Sequence, residues 1–248
     1  MNIIEQVRQN QPLIHHMTNQ VVMNFTANGL LAFGGSPIMA KEKREATDMA
    51  KIANGLLINI GTIIEPDLEA MILAGQTANE RDIPVVLDPV GVAASDFRKD
   101  AVNALLDHVT FAAIKGNAGE MAHLVGVAWK TKGVESIDDD VKKLEGIARQ
   151  AAEKYRTLAI VTGEIDVVCH GKHIKTNHTG HELLTKITGA GCLLGSILTA
   201  CLTTDAEKID AAYEAVKFYG AAAEKAAAKR GVTGSGTFIP HFIDELGK

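Results

Sequence analysis

A turn containing two glycines, Thr188-Gly189-Ala190-Gly191-Cys192, stands directly before an apolar segment of helical pattern, LLGSILTACL. Gly189 and Gly191 carry no side chains, so backbone N–H groups at the helix start can converge there on an anion. Cys192 lies inside this turn, where a thiol can serve as a proton acceptor or a nucleophile. A helix start favours the thiolate and burial favours the thiol, so its charge stays open. The alternative is a small residue that only packs the helix start.

This turn does not match two familiar phosphate-binding loops. The Walker pattern GxxxxGK[ST] is absent from the chain. Gly189, Gly191 and Gly195 imitate a dinucleotide fingerprint, but no strand is predicted after them to complete a βαβ unit. The sequence therefore argues against a nicotinamide cofactor.

Two positions with a carboxylate are further candidates for a functional site. Asp88 ends the apolar run VVLD and precedes Pro89, which holds it in an extended conformation at a strand end. Asn117 and Glu120 are three residues apart and share a helical face. The oxygen ligands of this second pair suit Mg²⁺, and an N-x-x-E capping box is the structural alternative for it. For Asp88 the structural alternative is a helix N-cap or a turn carboxylate.

Two further candidates lie near the start of the chain. His15 and His16 are neighbours at the end of a predicted strand, so they point to opposite faces, and we expect structural histidines rather than metal ligands. Met39 follows the turn Gly34-Gly35-Ser36-Pro37 and is either a core residue or the wall of a small aromatic pocket.

The composition of the chain limits the functions and partners that these residues can have. Hydrophobic residues make up 46% and charged residues 22%, which excludes a disordered chain. The net charge is −5, and no run of lysines or arginines is long enough to bind along a phosphate backbone. Nucleic acid is therefore not an expected partner. Three cysteines suit neither a disulfide framework nor a zinc site. The segment MNIIEQVRQNQP is no signal peptide, and no apolar run is long enough to span a membrane, so a cytoplasmic protein is expected.

The elements that position these residues alternate short apolar runs with amphipathic ones, which predicts an α/β fold with a mostly parallel sheet. Strands are predicted at 11–17, 55–60, 83–88, 109–114 and 157–162, with an antiparallel edge hairpin at 165–174. Helices are predicted at 20–33, 65–81, 98–107, 117–125, 138–153, 191–202, 208–229 and from 237. Neither a linker nor a repeat interrupts residues 1–248, so one domain is expected. Polar residues follow three of the strands and should face one crevice: Asp88, the segment 115–117 and the pair 162–163.

Seven segments in order resemble the hydroxyethylthiazole kinase family of the ribokinase-like superfamily. They are Asn19 with Val21, ANGLLAFGGSPIM (27–39), NIGT (59–62), LDPVG (87–91), GNAGE (116–120), VTGEIDVV (161–168) and TGAGC (188–192). The resemblance implies a central, mostly parallel sheet with helices on both faces. It also implies transfer of the γ-phosphoryl group of ATP to the hydroxyl of 4-methyl-5-(2-hydroxyethyl)thiazole, a salvage step toward thiamine.

The resemblance also implies a role for individual residues. Cys192 stands where the superfamily usually has an aspartate base. The thiazole side would be formed by Asn19, Val21, Met39 and Gly189. ATP contacts would come from Lys115, Asn117, Thr162, Gly163 and Gly191, and Mg²⁺ would lie beside Asp88 and Glu120. Lys115 departs from the usual arginine of the family and keeps its charge without the bidentate fork. Family members form homotrimers with the thiazole site between subunits, which is expected here.

Three other functions compete with this interpretation. Two of them belong to the same superfamily: a hydroxymethylpyrimidine kinase and an ATP-dependent dehydratase of hydrated nicotinamide nucleotides. Both are disfavoured by Cys192 and by segment 27–39. From another class, an anion turn with a magnesium carboxylate could bind a nucleotide without turning it over. ADP release that depends on an acceptor alcohol separates a kinase from such a binding module.

Overall fold

A computed structural model describes residues 2–129 and 137–248 and contains an eight-stranded sheet. The strand order is β2-β1-β3-β4-β5-β6-β7-β8. Their bounds are β1 (Leu13–Met17), β2 (Ser36–Met39), β3 (Gly55–Asn59), β4 (Val85–Asp88), β5 (Ala113–Asn117), β6 (Leu158–Thr162), β7 (Asp166–His170) and β8 (His173–Asn177). Pairings from β2 through β6 are parallel, and β7 and β8 join antiparallel at one edge. Because β1 lies between β2 and β3, the strand order reverses there, as at the ligand-binding crevices of open α/β sheets.

The helices lie on both faces of this sheet. Their bounds are α1 (Ile3–Asn10), α2 (Met23–Phe33), α3 (Lys43–Ile52), α4 (Glu65–Glu80), α5 (Asp96–His108), α6 (Ala118–Val125), α7 (Ile137–Tyr155), α8 (Ala190–Cys201), α9 (Lys208–Ala227) and α10 (Ser235–Leu246), with a 3₁₀ helix at Glu182–Lys186. Residues of α3 to α7 form one hydrophobic core. Residues of α1, α2 and α8 to α10 form the other.

The central strands supply side chains to both cores. Leu56 and Ile58 of β3 pack with the first core, and Leu57 between them packs with the second. All three are fully buried. Alternation across two buried faces explains why such strands are uninterrupted apolar runs in the sequence.

Most predicted elements are confirmed, including the edge hairpin, but β5 lies further along the chain than the predicted 109–114. Helix α5 is capped by the Val109 N–H, which donates to the Leu105 carbonyl, and the Thr110 N–H donates to Asn79 Oδ1. These bonds use the N–H groups of residues 109 and 110 outside the sheet, so the strand begins after them. Lys115 and Asn117 consequently lie within β5 rather than in a loop after it.

Two elements at the sheet edge were not predicted. Residues 36–39 form β2 where the sequence indicated a turn, and α3 follows it. Pro37 pairs in register with Ile14, and β2 is an edge strand, where a proline is tolerated because its missing N–H faces no further strand. Helix α1 was not predicted either; it begins with a capping box between Asn2 and Glu5.

The two histidines of β1 are fully buried. His15 Nε2 lies 2.9 Å from the Ala40 carbonyl, and His16 Nε2 lies 2.7 Å from Ser196 Oγ on α8. Both contacts join separate elements, so these residues are structural, as expected. Within residues 2–129 and 137–248, no helix combines the length and apolar character needed to cross a membrane.

Candidate active site

Polar residues from five strands meet at the carboxyl edge of the sheet. Asn19 follows β1, and Asn59 and Asp88 end β3 and β4, where they are paired in register. Asn117 and Thr162 end β5 and β6 and are also paired in register. Parallel strands bring their carboxyl ends to one edge, so the predicted crevice has the residues expected of it.

The two-glycine turn closes this crevice from the side of α8. Gly189 is the N-terminal cap of the helix and has a φ of 92°, a left-handed conformation that favours glycine. A Cβ atom at Gly189 would lie 2.7 Å from Val22 Cγ1, so a side chain also lacks space. The Tyr219 hydroxyl of α9 donates to the Ala190 carbonyl at 2.6 Å. The turn is therefore held rigidly, with the first N–H groups of α8 at its centre.

A buried ion pair lies beside the turn. Lys115 Nζ is 3.1 Å from Asp88 Oδ2 and donates to the Gly191 carbonyl at 2.9 Å. The side chains are 4% and 1% exposed. Burial opposes the charged form of Lys115, but the Asp88 carboxylate and nearby acidic groups outweigh it and raise the pKa of the lysine. Lys115 is therefore charged at neutral pH. Two donated hydrogen bonds leave it a third N–H for an anion in the turn.

Asp88 has one oxygen engaged and one open. Oδ2 accepts from Lys115 Nζ and from Asn59 Nδ2, the latter at 2.8 Å. Oδ1 is buried and has no hydrogen-bond partner among the described residues. Burial raises the pKa of Asp88, and Lys115 partly offsets that rise. A buried carboxylate oxygen without a partner is costly, which fits a bound cation or a reacting group at this position.

The sulfur of Cys192 accepts hydrogen bonds from two side-chain amides. Asn19 Nδ2 lies 3.4 Å from Sγ, and Asn59 Nδ2 lies 3.3 Å from it. Burial and the Asp88 carboxylate raise the pKa of the thiol, against the opposing effects of Lys115 and the two amides. Of the two opposing influences on its charge, burial is therefore the stronger, and the thiol form prevails at neutral pH.

Asn117 and Glu120 form the capping box that was one of the alternatives. Asn117 Oδ1 accepts from the Glu120 N–H at 3.0 Å, and Glu120 Oε2 accepts from the Asn117 N–H at 2.8 Å. Glu120 Oε1 also accepts from the Gly91 N–H at 2.9 Å. Glu120 thus ties the loop after β4 to the start of α6. In the described parts of the chain, no group of three or more His, Cys, Asp or Glu residues could hold a metal by itself.

The remaining candidates lie around this cluster. The Thr162 hydroxyl donates to the Gly116 carbonyl at 3.2 Å, and the Gly163 N–H donates to Asp166 Oδ1 at 3.1 Å, both at the end of β6. Met39 ends the edge strand β2 and is half-buried, and Val21 is 69% exposed in the turn before α2. Met39 and Val21 lie outside the hydrogen-bonded cluster around Cys192.

Three residues that hold the site were not identified from the sequence. They are Asn59, Tyr219 and Arg98. The Arg98 guanidinium donates to the carbonyls of Ile60, Val90 and Gly61 at 2.8, 2.6 and 2.6 Å and so joins the loops after β3 and β4. A polar residue at the end of an apolar strand, the signal that identified Asp88, would also have identified Asn59.

The sheet order, the helices on both faces and the anion turn define a ribokinase-like α/β fold. A ribokinase-like superfamily protein from Enterococcus faecalis matches it with a TM-score of 0.67 at 11% identity, over 98% of this chain and 93% of that one. A hydroxyethylthiazole kinase structure from Pyrococcus horikoshii matches with a TM-score of 0.90 at 35% identity, over 99% and 91% of the two chains.

Sequence comparison identifies the family within that fold. The model of the hydroxyethylthiazole kinase family matches residues 4–248. Hydroxyethylthiazole kinase 1 of Oceanobacillus iheyensis is 54% identical over 100% of this chain and 96% of the relative. The hydroxyethylthiazole kinase of Shouchella clausii is 48% identical over 98% and 94%. The chain belongs to the hydroxyethylthiazole kinase family.

Proposed function

We propose that the chain, acting as one domain, uses ATP to phosphorylate the hydroxyl of 4-methyl-5-(2-hydroxyethyl)thiazole, a step toward thiamine. The observation that carries this proposal is the rigid turn before α8, with Cys192, Lys115 and Asp88 gathered around it. Phosphoryl transfer depends chiefly on positioning and on stabilising negative charge. This site offers helix N–H groups, a fixed ammonium and a thiol at one point.

The γ-phosphate is proposed to bind at the start of α8. Its oxygens would accept from the N–H groups at Gly191 and Cys192 and from the third N–H of Lys115. Thr162, Gly163 and Asn117, at the neighbouring strand ends, are proposed to contact the rest of the nucleotide. Among these groups, Lys115 carries a full positive charge.

Cys192 is proposed to assist as the proton acceptor for the attacking hydroxyl without dominating catalysis. Its raised pKa leaves little thiolate at neutral pH. A general base contributes roughly 10²- to 10⁴-fold in rate, and a poorly ionised one belongs at the lower end. Cys192→Ala should therefore keep measurable ADP release under conditions in which removal of Mg²⁺ by chelation abolishes it. Equal loss in both cases would contradict this ranking.

Mg²⁺ fits the carboxylates at this edge of the sheet. Asp88 Oδ1 is a buried oxygen with no hydrogen-bond partner among the described residues, and Glu120 is fixed by its bonds to Gly91 and Asn117. Two carboxylates together with phosphate oxygens and waters are the usual environment of Mg²⁺ at nucleotide sites. When bound, the ion would neutralise charge on the phosphates. Asp88 and Glu120 are the residues that would hold it.

The thiazole is proposed to bind between subunits of a trimer, against Met39, Val21, Asn19 and Gly189. Val21 is 69% exposed in the turn before α2, so its side chain is available for a contact with a neighbouring subunit. Val21→Asp should release monomers in sedimentation equilibrium and lower activity together. A wild-type monomer that turns over substrate would contradict the shared site.

The decisive experiment is coupled ADP release with Mg²⁺-ATP and a panel of acceptors: the hydroxyethylthiazole, hydroxymethylpyrimidine, pyridoxal and none. Release that needs the thiazole alcohol, with a thiazole phosphate found by mass, is the expected result. Turnover with another alcohol but not with the thiazole would support a kinase and exclude the thiazole alcohol as its substrate. Bound ATP without turnover on any acceptor would indicate a binding module.

A further inference from the structure

Asn59 lies between Cys192 and Asp88 and has no role in the function proposed above. It is the last residue of β3, it is 1% exposed, and it pairs in register with Asp88 on β4. The register puts the amide and the carboxylate side by side at the ends of adjacent strands.

The side chain of Asn59 uses its full hydrogen-bonding capacity. Its Nδ2 donates to Asp88 Oδ2 at 2.8 Å and to Cys192 Sγ at 3.3 Å. Its Oδ1 accepts from the Gly61 N–H at 2.9 Å and from Asn19 Nδ2 at 3.0 Å. A backbone N–H can only donate, so the bond from Gly61 fixes which end of the amide is the oxygen. The two N–H groups must then face the sulfur and the carboxylate.

We propose that Asn59 is a positioning residue for phosphoryl transfer. One planar amide sets the separation of the Cys192 sulfur and the Asp88 carboxylate, and together with Lys115 it occupies Oδ2, so that Oδ1 is the oxygen left for the Mg²⁺ role proposed above. Hydrogen bonds of this kind are strengthened in a buried, poorly polarisable environment, and reacting groups need placement to within about 0.5 Å. This inference rests on the proposed kinase function.

The competing explanation is that Asn59 only shapes the turn at Ile60 and Gly61. That role needs the carbonyl oxygen of the side chain and not its N–H groups. Asn59→Asp separates the two explanations because it is nearly isosteric and keeps an oxygen for the Gly61 N–H, but a carboxyl group carries at most one proton and so cannot donate to Cys192 and Asp88 at once. Asn59→Ala removes both the oxygen that accepts from the Gly61 N–H and the N–H groups that donate to Cys192 and Asp88.

The test compares steady-state ADP release by the wild type, Asn59→Ala, Asn59→Asp, Cys192→Ala and the Asn59→Ala/Cys192→Ala double variant. We expect kcat to fall about 10- to 100-fold in both Asn59 variants, with the KM for ATP changed less than about threefold. The loss caused by Cys192→Ala should be smaller in the Asn59→Ala background, because the two residues act as a unit. Normal kcat in Asn59→Asp, or independent losses that multiply, would overturn the proposal.

Asn79→Ala is the matched control. The Asn79 amide also bridges two groups, donating to the Thr110 carbonyl at 2.8 Å and accepting from the Thr110 N–H at 2.7 Å, but near the start of β5 at the opposite end of the sheet. It should lower the thermal unfolding temperature without changing kcat. If Asn59→Ala does not fold, Asn59→Asp alone and combined with Cys192→Ala supply the same comparison.

Alkylation of Cys192 by iodoacetamide, located by mass, tests the contact without any turnover. Its rate should change by more than about threefold in both Asn59 variants and match the wild type in Asn79→Ala. An unchanged alkylation rate in the Asn59 variants would overturn the proposal whatever their rate of ADP release. Failure of the wild type to release ADP with the thiazole alcohol would count against the proposed function alone.

Discussion

His16 should make the folded chain sensitive to mild acid. The imidazole lies between the sheet and α8, the helix that begins at the anion turn. Its Nδ1 faces the Ile14 carbonyl at 2.9 Å, and a carbonyl only accepts, so Nδ1 carries the proton. Nε2 then accepts from the Ser196 hydroxyl. The folded state thus holds the neutral ring in one tautomer.

The size of the effect follows from the burial of the ring. Burial lowers the pKa of His16 from 6.5 to about 4, with backbone hydrogen bonds opposing that change. Between these pH values the unfolded chain binds a proton that the folded chain does not. Stability is therefore fully present above pH 6.5 and is lost as the pH falls toward 4. At roughly 1.4 kcal/mol per pH unit, the loss reaches about 3 kcal/mol.

The assay is urea unfolding of the wild type and His16→Gln at several pH values across this window. Glutamine can donate and accept hydrogen bonds but does not titrate, so the difference between the two proteins isolates His16 from His15, whose pKa is also lowered by burial. Between pH 7 and pH 4, we expect the free energy of unfolding of the wild type to fall by about 3 kcal/mol more than that of His16→Gln. Parallel curves for the two proteins would refute the buried neutral histidine.

Three substitutions test the site itself. Lys115→Met leaves Asp88 buried without its cation and should cost about 3–5 kcal/mol in urea unfolding. That cost should be greater at pH 8 than at pH 5, because Asp88 can be protonated at the lower pH. Gly189→Ala forces a side chain into a left-handed conformation 2.7 Å from Val22 and should cost at least about 1–2 kcal/mol in thermal unfolding, with loss of ADP release. Glu120→Gln should raise the Mg²⁺ concentration needed for half-maximal ADP release by roughly tenfold, since it removes one charge from the proposed ligand set. An unchanged Mg²⁺ requirement would remove Glu120 from that set.

The sequence predicts the central strands because burial on both faces produces a plain signal. The runs at 55–60, 83–88 and 157–162 are apolar apart from polar residues at or next to their ends, and each contains a strand. The edge strand β2 has no such signal: it is four residues long, half-buried and contains Pro37. Edge strands are specified by the neighbour they pair with rather than by their own composition, so β2 requires the tertiary structure.

The site is predictable where a residue sits at a strand end and unpredictable where it depends on distant partners. Asp88 and Asn117 were found from local patterns. The bonds of Asn19 and Asn59 to Cys192 join residues 173 and 133 positions apart, and no local pattern encodes them. The burial of the Cys192 thiol is likewise a tertiary property, which is why its charge was open from the sequence.

Glu120 shows that two interpretations of one motif can hold together. From the sequence, N-x-x-E was either a capping box or a metal ligand pair, and the capping box is present. Each Glu120 oxygen accepts one backbone N–H, from Gly91 and from Asn117, but a carboxylate has about four lone-pair sites. Among the described residues, two of these sites therefore stay open. The capping bonds also hold the carboxylate in one orientation, which is what a ligand for a hard cation requires. The same contacts that start α6 thus prepare Glu120 for the Mg²⁺ role proposed for it.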